Sequence, residues 1–97
     1  MNKINNDGAL TKLSFDEVSD KLGKVVGKSE WYSIDQAMID SFADLTKDYF
    51  FIHIDPERVK NETPLNSTIA HGFLSVSLLS AMSYDCVPGI KGAHFGL

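Results

Sequence analysis

Thr68-Ile69-Ala70-His71-Gly72-Phe73-Leu74-Ser75-Val76-Ser77-Leu78-Leu79-Ser80-Ala81-Met82-Ser83-Tyr84-Asp85-Cys86 is the stretch on which the fold turns. Its apolar residues are spread around the whole helical cylinder: Ile69, Ala70, Phe73, Leu74, Val76, Leu78, Leu79, Ala81 and Met82. A helix that is apolar all round has to be buried on most sides. The pattern predicts one long buried helix from Thr68 to about Cys86, ended by Pro88 and Gly89. Ser75, Ser77, Ser80 and Ser83 are small and let neighbours approach closely. Such a helix needs a sheet or other helices around it, so the expected class is α+β.

Working toward the N-terminus, Asp48-Tyr49-Phe50-Phe51-Ile52-His53 follows a helix expected from about Gln36 to Lys47, capped by Ser33 or Asp35. Met38, Phe42 and Leu45 are expected on its apolar face, with Asp40 and Asp44 opposite. Asp55 caps a helical turn started by Pro56. Val25 to Ile34 reads as a strand with a turn or bulge at Gly27, on its Val, Trp, Tyr and Ile content. Ser14 with Glu17 has capping-box spacing, and Phe15, Val18 and Leu22 give a short amphipathic helix ending near Gly23. Residues 1–12 are polar and expected to fray. Gly92-Ala93-His94-Phe95-Gly96-Leu97 reads as the beginning of a strand. With only two strand candidates, residues 1–97 read as the N-terminal portion of one α+β domain, with its later strands missing.

Ninety-seven residues make one domain at most. The net charge of −4, with no basic run, argues against nucleic acid as a partner. No apolar stretch is long enough to span a membrane, and the first residues lack the apolar core of a signal peptide. Cys86 is the single cysteine, so no internal disulfide is possible, and a reducing cytoplasm is the expected location.

Asp48 and His53 bring a carboxylate and an imidazole into one short loop, an acid/base combination suited to neutral pH. They meet only if the loop turns back, since five extended residues span about 16 Å. Otherwise Asp48 caps a turn and His53 is satisfied by backbone. If Ser67 or Thr68 caps the long helix, Gly72 lies in its first turn, where a free N–H and the absent side chain admit a developing oxyanion. The alternative is a glycine chosen for packing. His71, at the same helix start, is read as structural or as part of that binding end. Ser77 either donates to the acid/base pair or bonds its own helix backbone. His53-x-Asp55 with Glu57 lacks a second His or Cys cluster, so no metal site is expected. Cys86 shows no sign of activation.

The stretch Phe42 to Arg58, followed by Thr68 to Leu79, resembles the MaoC-like dehydratases, the (R)-specific enoyl-CoA hydratases or hydratase 2. The resemblance covers roughly residues 30 to 97. It implies the hotdog fold, a long central helix wrapped by a curved antiparallel sheet, here incomplete, and usually dimeric. The family signature runs Gly-Asp-x-Asn-Pro-x-His. Asp48 and His53 match its catalytic pair, while Lys47, Phe50 and Phe51 stand where it has Gly, Asn and Pro. Gly72 matches the oxyanion-hole amide and Ser77 a serine lining that site. The implied reaction is reversible hydration of a trans-2-enoyl-CoA to an (R)-3-hydroxyacyl-CoA. It uses no cofactor besides the coenzyme A of its substrate. The partners implied are an acyl-CoA thioester and a second copy or complementing chain. The competing readings are a non-catalytic remnant that docks acyl thioesters, and a half-domain that pairs with another chain.

Overall fold

The computed structural model describes residues 12–92. They fall into two compact units: residues up to Trp31 together with those from Leu79 onward, and Tyr32–Leu78.

In the first unit, strand β1 (Lys12–Leu13) leads into helix α1 (Phe15–Ser19). The capping box is complete: the Ser14 hydroxyl accepts from Glu17 N–H, and the Glu17 carboxylate accepts from Ser14 N–H. The helix is shorter than expected, and a turn carries the chain from Asp20 to Gly23 (φ +76°). Phe15 and Leu22 are exposed and Val18 is half-buried, so the expected apolar face is only partly covered among the described residues. Residues 25–34 form no strand. A ladder needs a neighbour to accept its hydrogen bonds, and Val25 and Trp31 are exposed. Gly27 lies where an added Cβ would collide with the Cys86 carbonyl, so close backbone approach rather than a bulge requires glycine there. Later in the unit come the helix Leu79–Cys86 and a strand Gly89–Ile90 that pairs in parallel with β1, Lys12 opposite Gly89 and Leu13 opposite Ile90. Lys12 is therefore part of a strand rather than a frayed end, while residues 1–11 and 93–97 lie outside the described part. The antiparallel sheet expected from the resemblance is not present among the described residues, whose elements are nevertheless mixed α and β.

The second unit holds four helices: α2 (Gln36–Thr46), α3 (Phe51–Ile54), α4 (Pro56–Glu62) and α5 (Gly72–Ser77), which makes Leu79–Cys86 α6 and Gly89–Ile90 β2. Asp35 caps α2 through its carboxylate on Met38 N–H. Asp55 caps α4 on Arg58 N–H, with Pro56 in the first turn, as the sequence predicts. The buried apolar side chains are Ile39, Ala43, Val59 and Leu74. The inward face of α2 is thus centred on Ile39 and Ala43, with Met38 and Phe42 half-buried, and Leu45, expected inside, is exposed.

The long helix from Thr68 is not continuous. Residues 68–70 are not helical, α5 starts only at Gly72, and Leu78 closes it by a tight turn, its N–H bonded to Ser75 O at 3.3 Å. The reason is tertiary: Ile69 N–H donates to Ile52 O, and Ile69 O accepts from the ring of His53. Backbone groups committed across the unit are unavailable to a helix.

The Glu17 carboxyl is held below its ordinary 4.5, first by the backbone hydrogen bond of Ser14 and then by its hydroxyl. The box therefore contributes above that pH and is lost as pH falls through the lowered value. The Ser14 amide proton shift, followed through an acid titration, should move with this carboxyl in the wild type and stay flat in Glu17→Gln, which keeps an acceptor at every pH.

Candidate active site

The site is built where α2 ends. Lys47 closes the helix in the left-handed region (φ 62°, ψ 26°), which turns the chain sharply into Asp48. The Asp48 carboxylate accepts from Phe50 N–H at 3.3 Å, and Phe50 precedes the single turn of α3 that carries His53. The loop thus turns back within five residues, and the carboxylate and imidazole meet. A carboxylate oxygen of Asp48 and one ring nitrogen each from His53 and His71 lie within 4.8 Å of one another. Asp48 faces solvent and both imidazoles are buried, so the cluster sits at the edge of the unit's interior.

Each ring spends one nitrogen on backbone. His53 Nδ1 is 2.8 Å from Ile69 O, and His71 Nε2 is 3.1 Å from Asp48 O. A carbonyl oxygen only accepts, so these nitrogens carry the protons. That leaves the Nε2 lone pair of His53 and the Nδ1 lone pair of His71. The latter is buried with no hydrogen-bond partner. The rings stack with centroids 3.9 Å apart and planes 22° from parallel. Phe42 meets His71 edge-on at 5.0 Å, and Phe50 flanks His53 at 6.3 Å. His71, read from sequence as a helix-start residue, therefore touches both Asp48 and His53 and caps α5 without a side-chain bond.

Three such ligands invite a metal. The stack argues against a shared one. Lone pairs lie in the ring planes, and planes this far apart and this nearly parallel intersect only roughly 8–10 Å away. A zinc ion would sit about 2 Å from each nitrogen.

Gly72 is the first residue of α5, capped by His71 rather than by Ser67 or Thr68. It is exposed, and nothing lies within 4 Å of the position a Cβ would take, so a ligand can approach its backbone. Its N–H, in the first turn, has no intrahelical acceptor. Ser77 is not oriented toward the pair: its hydroxyl donates to Leu74 O at 2.7 Å within its own helix. Two side chains that sequence reasoning passed over brace the cluster. Gln36 donates to His53 O, and Thr68 donates to Gln36 Oε1. Nothing in their spacing marks them, because both bonds join positions distant in the chain. Arg58 lies 4.1 Å above the Phe51 ring while its Nε donates to Glu62, and that pairing holds the guanidinium above and the carboxyl below their ordinary ranges.

Residues 17–96 match the family model described as the MaoC like domain. Nodulation protein N of Rhizobium leguminosarum bv. viciae is 50 % identical over 86 residues, covering 89 % of this chain and 53 % of that protein. Its counterpart in Rhizobium meliloti (strain 1021) is 44 % identical over 86 residues, with the same coverage. The 3-hydroxyacyl-thioester dehydratase Z of Mycobacterium tuberculosis (strain ATCC 25618 / H37Rv) is 40 % identical over 90 residues, 87 % of this chain and 59 % of that protein. The chain thus spans between half and three fifths of the length of these curated relatives.

The backbone explains the signature residues that this chain lacks. Lys47 occupies the left-handed position where the signature has glycine, Phe50 the N-cap of α3 where it has asparagine, and Phe51 the first helical position where it has proline. Each signature residue is the one local propensity favours at that place. Lys47→Gly should therefore raise stability by about 1 kcal/mol, read as a higher urea midpoint at unchanged slope, and Lys47→Ala should give no such gain.

Proposed function

The chain belongs to the MaoC-like domain family, and on that premise we propose that it serves the reversible hydration of a trans-2-enoyl thioester to the (R)-3-hydroxyacyl thioester, with coenzyme A as carrier. The observation that carries this reading is the His53 imidazole, with Nδ1 spent on Ile69 O, and a ring nitrogen within 4.8 Å of the Asp48 carboxylate at a solvent-facing edge. A water held between them loses a proton to the pair as its oxygen bonds to C3. The C2–C3 π electrons move toward the thioester carbonyl, and a proton from the pair then completes C2. The sum is addition of H and OH across the double bond, and the reverse is dehydration. Gly72 N–H donates to the thioester oxygen as its charge develops, an interaction worth about 3 kcal/mol per donor in comparable sites. Ser77 contributes at most its lone pairs to that end of the site while its proton stays on Leu74 O. The addition is redox-neutral, so it calls for no redox cofactor. The relative named a 3-hydroxyacyl-thioester dehydratase fits the same substrate class. A reducing cytoplasm suits the free Cys86. None of the described helices is long and apolar enough to cross a membrane.

A second reading is favoured by the surface beside Gly72. Phe73 and Val76 of α5 are 83 % and 59 % exposed. Large apolar residues clustered in this way mark surfaces that another one covers. In that reading the chain binds acyl thioesters without turnover, or works only when paired with a second copy or another chain.

Crotonyl-CoA hydration by the purified chain, followed as loss of enoyl absorbance, separates the two. Turnover that falls by about 10²–10⁴ in Asp48→Asn supports the hydratase. Tight binding without turnover supports the second reading. A folded chain that neither binds nor turns over crotonyl-CoA overturns the hydratase reading for this chain alone and the binding-without-turnover form of the second.

A further inference from the structure

Neutral imidazole exists as two tautomers, and a protein selects one by presenting an acceptor to one ring nitrogen. Here the acceptor is Ile69 O, which claims Nδ1–H of His53 and leaves Nε2 bare. The selection lasts only while residue 69 stays opposite α3. One backbone bond, Ile69 N–H to Ile52 O at 3.0 Å, holds it directly, and a peptide can pivot about a single bond. The second tether runs through a side chain. Thr68 Oγ1 donates to Gln36 Oε1 at 2.6 Å, and Gln36 Nε2 donates to the backbone carbonyl of His53 at 2.8 Å. One carboxamide thus joins the backbone of His53 to the residue beside its acceptor and closes a ring: Gln36, His53, the imidazole, Ile69, Thr68, Gln36. The amide cannot be turned over. Its Nε2 also donates to Asp40 Oδ1 at 2.9 Å, so the NH2 end faces two acceptors and the oxygen faces the hydroxyl.

We infer that Gln36, acting through Thr68, is a positioning residue that makes Nε2 the basic nitrogen of His53. Gln36 touches neither the water nor the thioester in the proposed reaction. Its effect passes through the orientation of Ile69 O. The kinetic consequence rests on the hydratase reading, whereas the tautomer does not.

The experiment is a two-bond 1H–15N correlation of the His53 ring in ring-labelled chain, with crotonyl-CoA kinetics alongside. Wild type should show Nδ1 protonated and Nε2 bare. Gln36→Leu and Thr68→Val should show mixed or Nε2-protonated His53. Their kcat should fall about tenfold with KM within about a factor of two, the split expected when a reacting group is misoriented and binding is intact. Thr68→Ser, which keeps the hydroxyl, should restore both readouts, which a packing role for the Thr methyl would not allow. If Gln36→Leu does not fold, the Thr68→Val and Thr68→Ser pair decides. A folded Thr68→Val with wild-type tautomer and kcat overturns the inference, as does a wild-type His53 protonated on Nε2. If the wild type has no turnover, the hydratase reading falls, and the tautomer comparison alone still decides this one.

Discussion

The backbone of Ile69 is the constraint on which the second unit depends. Its N–H goes to Ile52 O and its carbonyl takes the ring proton of His53, so both polar groups of one residue are spent on α3. His53 is buried, and a buried polar group left unpaired costs about 1–3 kcal/mol, so the bond to its ring cannot be given up cheaply in favour of a helix. The two bonds keep 68–70 out of the helix and delay α5 to Gly72. That delay puts His71 at the N-cap, where its ring lies on His53 and its Nε2–H reaches Asp48 O. Had the helix run on from Thr68, His71 would sit inside it, and the contact with Asp48 would have no reason to form.

The apolar core around this arrangement is small. Ile39, Ala43, Val59 and Leu74 are its buried aliphatic residues, and two histidines share the interior with them. Polar groups in so small a core stay there only if they are satisfied. His53 meets that condition through Ile69 O on one nitrogen. His71 meets it by half, with Nδ1 buried and unpartnered. A group of that kind carries a desolvation cost of about 1–3 kcal/mol, and what offsets it is the stacking on His53 and the edge contact with Phe42. The rings are therefore held by aromatic packing as well as by hydrogen bonds, and each constrains the other.

What was legible in the sequence is what is local. Ser14 with Glu17, Asp35, and Asp55 with Pro56 act within three residues of themselves, and the structure puts each cap where the spacing does. Asp48 and His53 are near enough in sequence for one turn to join them, so their meeting could be anticipated as a condition on that turn. The long helix failed because periodicity records which faces are apolar and says nothing of where carbonyls are claimed from outside. The strand over 25–34 failed because composition favours extension but cannot supply a neighbour. Leu45 fell outside because the buried stripe of α2 runs through Ile39 and Ala43, and the sequence does not tell which side of an apolar arc meets α3. Gln36, Thr68 and the true place of His71 were out of reach for one shared reason. Their bonds span 17, 32 and 23 positions, and no window of sequence contains both ends.

The loop shows how a turn can form without the residues best suited to it. Glycine, asparagine and proline would each favour one step of the turn through their own backbone preferences. This chain has Lys47, Phe50 and Phe51 instead and makes the same steps: left-handed at 47, extended at 50 (φ −57°, ψ 132°), helical from 51. The stabilisation here comes from packing rather than from propensity. Phe50 and Phe51 meet edge-on at 5.1 Å, Phe50 flanks His53, and Arg58 covers Phe51. A cation over an aromatic face and an edge-on aromatic pair each contribute about 0.5–1.5 kcal/mol, the scale of a lost helix cap. The exchange is therefore nearly even in free energy but not in chemistry. Two aromatic rings now stand where the signature has an amide and a pyrrolidine, half-exposed beside a carboxylate that faces solvent. The Asp48 and His53 side chains still meet, and the wall next to them is apolar where the signature has an amide, so Phe50 and Phe51 set the chemistry of the surface beside the pair.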